Sequence, residues 1–380
     1  MVDDLSLSNL SSIPRAKAEL ASLQTKFQQN VLKDEEEWEL VLAEGDMVGC
    51  PADVIAAART VAIERKKGPN DYVVTLGRSM VEPFLSYSKR RDLRKTVFEA
   101  FCKRGELCPE RDNLKIATEV LRLRRRQARL HNKQSFAEYQ FEDTMAQTPE
   151  NGMKLLNDFW VKAKDAAKRE REMMEAFLAE KSKSLDGGIQ PWDWRFYAEQ
   201  VRQAKFNFDE NEMKPYLSLD AVTNAAFDVS NKLYGLKYVK REDIVAYHPD
   251  VNVYEVRRAR SDENGDELIA IFLHDNYARP YKRSGAWMSE LRTQTKNLAS
   301  DADSVEAIPI VLNNNNFSKG SDSKNTLLSF SDGVTLFHEL GHGHHGMMSD
   351  CFFKSLASTN VLKDFVELPS QVSRSIFHCP

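Results

Sequence analysis

The residues best able to do chemistry lie in Thr335-Leu336-Phe337-His338-Glu339-Leu340-Gly341-His342, an H-E-x-x-H signature inside an apolar run. An α-helix turns once in about 3.6 residues, so positions four apart stand one above the other. His338 and His342 can therefore offer two imidazole nitrogens to one cation. Glu339 sits beside them, placed to take a proton from a water that the cation activates. Zinc lowers the pKa of such a water to roughly 7, which makes hydroxide available for attack on a carbonyl.

A catalytic zinc usually keeps three protein ligands and one open position. Downstream, Lys363-Asp364-Phe365-Val366-Glu367-Leu368-Pro369-Ser370-Gln371 carries Glu367, which a second helix folding back could aim at the metal. Pro369 would stop or kink that helix soon after the ligand. His345 also leans toward the metal face of the first helix. Three ligands along a single helix would stretch over about 10 Å of axis, too far to reach one ion. His345 is therefore read as supporting the site, packing in the core or touching substrate. His344 is read as surface or cleft lining, and Asp364 as a carboxylate orienting a ligand histidine.

The elements that must position these residues divide in two. From about Pro14 to Lys205 the chain reads as helix, with segments at about 51–66, 90–104, 110–131 and 148–181 and a short strand at Asp71–Leu76. The 148–181 segment is long and heavily charged, a rod exposed on one side that could wall a cleft. Loop formers at Lys181–Gly188 mark a seam, giving a helical region 1–186 and a catalytic region 187–380. In the second region helices are expected at Phe196–Ala204 and Leu219–Tyr234. Val251–Val256 and Leu268–Leu273 read as an antiparallel hairpin about the turn Asp262–Asp266. Ala307–Leu312 reads as a third strand, which Pro309 sends to an edge, where an extended peptide could pair by its backbone. Asn313–Asn316 and Gly320–Ser323 read as a polar loop ahead of the metal helix. Arg279, Lys282 and Arg283 could bind a peptide carboxylate or form structural ion pairs.

The runs Thr326–Phe330, Val334–Gly346 and Asp364–Gln371 resemble the thimet oligopeptidase family of zinc metallopeptidases, its peptidyl-dipeptidase (oligopeptidase A-like) branch above all. Weaker pieces are Tyr247-His248-Pro249-Asp250, Tyr254-Glu255-Val256 and Tyr277–Met288, and the resemblance runs from about Ile13 to Gln371. It implies a mainly α, helical zincin-type fold with a small antiparallel or mixed sheet beside the H-E-x-x-H helix. It also implies one Zn2+ on His338, His342 and Glu367, with Glu339 as general base. Short peptides would be cleaved in a channel between two mostly helical halves. Ser358, beside Thr359, stands where the family usually has glycine, close to where the backbone meets substrate. After Gln371 the chain departs from the family, so the resemblance implies truncation at both ends, with the tyrosines and histidine that stabilise the oxyanion in the absent part. The alternative is thus a catalytically impaired remnant that binds zinc or peptides without turnover.

Composition excludes other classes. A net charge of −4 gives no basis for attraction to nucleic acid or membrane. The run Arg122–Arg126 falls into a helical pattern and reads as a solvated face. Five cysteines, an odd count without metal or disulfide spacing, fit a reducing compartment. Met1–Leu10 shows no signal peptide, and no apolar run approaches the roughly 20 residues that span a bilayer. A cytoplasmic monomer is expected, or an organellar one should the native amino terminus differ.

Overall fold

The three- and four-residue apolar spacing of the amino-terminal half folds as helix in a computed structural model of the chain. The structure describes residues 7–181, 185–206, 210–259, 265–297, 307–320 and 326–378. Two compact units form, Met1–Phe208 and Asp209–Pro380, so the expected seam at 186/187 lies inside the first. That unit holds α1 (Leu7–Glu37), β1 (Leu40–Leu42), α2 (Ala52–Glu64), β2 (Tyr72–Val74), α3 (Arg78–Tyr87) and α4 (Arg91–Cys102). It continues with α5 (Asn113–Leu130), α6 (Phe136–Phe141), α7 (Pro149–Glu180) and α8 (Trp194–Phe206). The expected strand is β2, and its antiparallel partner β1 was not foreseen. Met47, Ala58, Val74, Phe84 and Val97 form the main core. The outer part of α7 is exposed all round; of its residues only Met174 and Leu178 are buried.

The second unit is built around a sheet. It comprises α9 (Glu210–Met213), α10 (Leu219–Tyr234), β3 (Leu236–Lys240), β4 (Val251–Arg258), β5 (Glu267–Tyr277), β6 (Trp287–Arg292), β7 (Ile310–Phe317), α11 (Phe330–Met347) and α12 (Leu368–Phe377). The strands lie in the order β3-β4-β5-β7-β6, with β5 and β7 parallel and every other pair antiparallel. The β4–β5 hairpin is as expected; most of its turn lies outside the described residues.

Two expectations fail at β7. This strand is interior, with β5 on one side and β6 on the other, so the edge position belongs to β6. Pro309 stands just before the strand, where its missing N–H matters little, and its carbonyl accepts from Ile271 N. Asn313–Asn316 are strand residues rather than a loop, and Asn313, Asn314 and Asn315 are buried. The amides of Asn315 and Asn316 find partners that a turn would not supply. Asn315 Nδ2 donates to Asn276 Oδ1 at 2.9 Å, and Asn316 Nδ2 donates to the Arg283 and Gly285 carbonyls. Residues 321–323, the rest of that expected loop, lie outside the described residues.

α11 packs on one face of this sheet. Its Leu336, Phe337, Leu340 and Met347 join Ala226 of α10, Val256, Phe272 and Val311 in a single apolar core. The helix opens on a capping box: Ser329 Oγ accepts from Asp332 N while Asp332 Oδ2 accepts from Ser329 N, each at 3.1 Å.

Candidate metal centre

Four glycines give α11 its neighbours. A Cβ on Gly333 would stand 2.5 Å from the Phe377 ring, and one on Gly341 would stand 2.7 Å from Ser370 Cα and 2.8 Å from the Pro369 carbonyl. These two glycines let α12 lie against one side of the helix. Gly343 and Gly346 meet Asn313, Val311 and Glu290 instead, so they let the other side settle on β7 and β6. Mid-helix glycine is normally unfavourable by about 1 kcal/mol. Here it permits close approach on both sides, to the backbone of α12 at Gly341 and to side chains of β6 and β7 at Gly343 and Gly346.

That contact brings the three expected ligands together. His338 Nε2 and His342 Nε2 each lie 3.2 Å from Glu367 Oε2, and one ligand atom from each residue falls within 4.8 Å of the others. Donors held about 2.0–2.2 Å from a tetrahedral zinc stand roughly 3.3–3.6 Å apart, so the 3.2 Å separations are close to what such an ion needs. Glu367 is not carried on a second helix. It is the residue immediately before α12, and Pro369 opens that helix within its first turn rather than ending it. Ser370 Oγ lies 2.8 Å from both the Glu367 carbonyl and Glu367 Oε2, which fixes the carboxylate. Sequence reasoning missed Ser370; its signal is a hydroxyl three residues past the ligand, facing an intrahelical glycine.

Glu339 is 5% exposed, and its Oε2 has no hydrogen-bond partner within the protein. Burial, reinforced by the negative charge of Glu367, raises its carboxyl to about 7. Burial also lowers His338, and His342 adds to that shift, so this imidazole favours the neutral form a metal requires. A buried acid with a free oxygen, beside three converging donors, suits a divalent cation and a water.

Residues 84–378 match peptidase family M3. The chain belongs to that family. It is 34% identical over 358 residues to the dipeptidyl carboxypeptidase of Escherichia coli, covering 93% of this chain and 50% of that protein. Oligopeptidase A of the same organism is 30% identical over 358 residues, at 93% and 51% coverage. Saccharolysin of Saccharomyces cerevisiae is 26% identical over 379 residues, at 97% and 51%. The chain thus spans about half the length of the curated relatives it matches. The mainly helical fold, with a small mixed sheet beside the H-E-x-x-H helix, is the zincin-type architecture of family M3. Among the described residues no helix is long and apolar enough to cross a membrane.

The other residues singled out in this M3 chain fall in several places. His344 is not at the surface: it is 6% exposed, and its Nε2 lies 2.8 Å from Ser230 Oγ and 3.1 Å from Tyr238 OH. Burial lowers it to about 4, so it is a neutral core histidine. His345 is half-buried, with its Nδ1 enclosed and unpartnered. Both terminal nitrogens of Arg279 bond Asp275 at 2.7 Å, and Lys282 joins the same carboxylate at 2.9 Å. Arg283 lies over the Trp287 ring, 4.2 Å from its centroid. Ser358 is buried with φ +58°, Thr359 is half-buried, and Asp364 is exposed in the turn before Glu367.

Proposed function

We propose that this chain is a zinc-dependent peptidase that hydrolyses peptide bonds in short peptides. The observation carrying this reading is the meeting of His338, His342 and Glu367 donors within 4.8 Å, next to the buried, unpartnered Glu339 Oε2. His338, His342 and Glu367 would hold one zinc, which supplies the Lewis acidity that makes a water acidic near neutral pH. Glu339 takes a proton from the attacking water at Oε2 and passes it to the leaving amine nitrogen. Its buried position keeps the proton from bulk solvent, and Ser370 keeps Glu367 in register. An extended substrate would pair with β6, the strand whose outer edge is unpaired among the described residues and whose Glu290 touches α11. Arg283 is the better candidate for a peptide carboxylate, because Arg279 is already committed to Asp275. His345, Ser358 and Thr359 remain candidates for substrate contact, and Asp364 for orienting the turn that carries Glu367. The free state of Cys50, Cys102, Cys108 and Cys351 favours a reducing compartment such as the cytoplasm. Monomeric action on peptides alone, with neither nucleic acid nor membrane involved, completes the reading.

A second reading is binding of zinc or peptides without turnover. Assay of internally quenched short peptides with added zinc, beside a Glu339→Gln control, separates the two. Turnover that disappears in the variant supports the peptidase; equal and negligible turnover with one zinc retained supports the second reading. Absence of zinc by elemental analysis after loading removes the peptidase and leaves only peptide binding of the second reading. Protonation of the imidazoles competes with the metal, so zinc affinity should fade as pH drops below about 6. Calorimetry giving constant affinity from pH 8 to 5 would count against these ligands.

A further inference from the structure

On the sheet side of α11, beyond the ligand trio, two polar atoms stand over the space left by Gly346, and a third belongs to the residue before it. A Cβ there would stand 3.1 Å from Glu290 Oε1 and 3.2 Å from Ser358 Oγ. Both atoms are buried without a hydrogen-bond partner in the protein, and so is Nδ1 of the adjoining His345. The groups carrying them are held firmly. Thr293 Oγ1 donates to the other Glu290 oxygen at 3.0 Å. Ser358 N donates to Ser349 Oγ at 2.6 Å, and that hydroxyl donates to the His345 carbonyl at 3.0 Å. Ser358 keeps a left-handed φ of +58°, a conformation in which glycine is unstrained and serine is not. A strained, buried residue whose hydroxyl meets no protein partner indicates a partner of another kind.

We propose that Glu290, His345 and Ser358 bind one water molecule. The water accepts from the Ser358 hydroxyl and donates to Glu290 Oε1 and to His345 Nδ1. This arrangement satisfies all three atoms with the number of bonds that a buried water typically makes. It joins the edge strand β6, the helix α11 and the loop that leads on to Glu367. It also fixes a tautomer: with Nδ1 accepting, the imidazole proton of His345 sits on Nε2. His345 is then a hydrogen-bond donor rather than a free metal ligand, and Glu290 and Ser358 are positioning residues for it. The competing arrangement without water has Nδ1–H donating straight to Glu290, which places the proton on the opposite nitrogen.

Long-range proton–nitrogen NMR of the full chain with labelled histidine distinguishes these tautomers. The expected result is the Nε2–H form of His345 in the wild type, with and without zinc. Ser358→Gly relieves the backbone, so it should keep or raise the thermal midpoint. It removes one partner of the water, so His345 should become a mixture of tautomers. A wild-type Nδ1–H pattern, or a Ser358→Gly spectrum with His345 unchanged, overturns the proposal. His338 and His342 report zinc in the same spectra, so failure of the metal site is read separately from failure of this one.

Discussion

Two helices of this protein, α7 and α11, make opposite use of the same periodicity. α7 is a long rod whose Leu156, Phe159 and Trp160 are 63%, 67% and 65% exposed. Its surface is laced with pairs such as Arg171 to Glu175 at 2.9 Å. α11 is much shorter, buries residues along almost its whole length and carries four glycines. The outer part of α7 carries pairs along its own surface, whereas α11 is held by its neighbours. A site that must hold three donors to within tenths of an ångström needs the second kind, because close packing on both sides removes the freedom that a solvated helix keeps.

The sharpest way to test the contrast is chemical. Glu339→Gln preserves the shape of α11 and should retain zinc while lowering peptide turnover by about 10²–10⁴-fold, the range for a lost general base. Steady-state kinetics beside metal analysis reads both. Gly341→Val attacks the packing instead. Its Cβ would collide with Ser370 Cα and the Pro369 carbonyl, both backbone atoms that cannot rotate away. Overpacking of this kind typically costs about 1–3 kcal/mol. Since α12 carries the turn holding Glu367, zinc affinity should fall about tenfold or more, as when a ligand's supporting contacts are lost. Titration showing wild-type affinity in Gly341→Val would mean that α12 does not set the third ligand.

The legible parts of the molecule were those governed by local periodicity and by spacing. The helix carrying His338 and His342 and the β4–β5 hairpin follow from residues within a turn or a strand of one another, and Glu367, twenty-five residues beyond His342, is legible as a carboxylate that the chain can fold back toward them. The misread parts were governed by distant partners. Four consecutive asparagines look like a loop because such side chains favour turns. β5 and β6 flank them, and Asn276 and the Arg283 and Gly285 carbonyls take up the amides of Asn315 and Asn316, so tertiary pairing overrides propensity. Pro369 was assigned to the wrong end of its helix for a related reason. Proline both stops helices and opens them, and only the position of Glu367 at the start of α12 decides which. His344 was misjudged because Ser230 and Tyr238, its partners, are far away in the chain.

A pH titration probes the enclosed side of the contrast. His344 and His274 are buried, and burial lowers each to about 4. The unfolded chain binds their protons near 6.5, so each contributes stability that is present above that pH and is lost as pH falls toward 4. By pH 5 the loss should be roughly 2 kcal/mol for each. Glu339 acts in the opposite direction in zinc-free protein. Its carboxyl is raised to about 7, so the folded state gains stability as pH falls from 7 toward the ordinary carboxylate range. The Glu339→Gln background removes that opposing term. Urea unfolding of this variant at pH 7 and pH 5 should show the loss from the buried histidines, to which the lowered His338 and His345 add, and equal stability at both would mean His344 and His274 are not buried neutral.

The smallest effect should come from α7. Replacing Leu156 or Trp160 with glutamine should move the unfolding free energy by no more than about 0.5 kcal/mol, as for other exposed positions. Leu340→Ala in α11 removes a side chain only 3% exposed and should cost about 2–5 kcal/mol. Salt should weaken the i,i+4 pairs of α7 by a few tenths of a kcal/mol each and leave the α11 core unaffected. If Trp160→Gln proved as destabilising as Leu340→Ala, the outer part of α7 would have to be packed in solution. The distinction between a self-supporting rod and an enclosed site helix would then be lost.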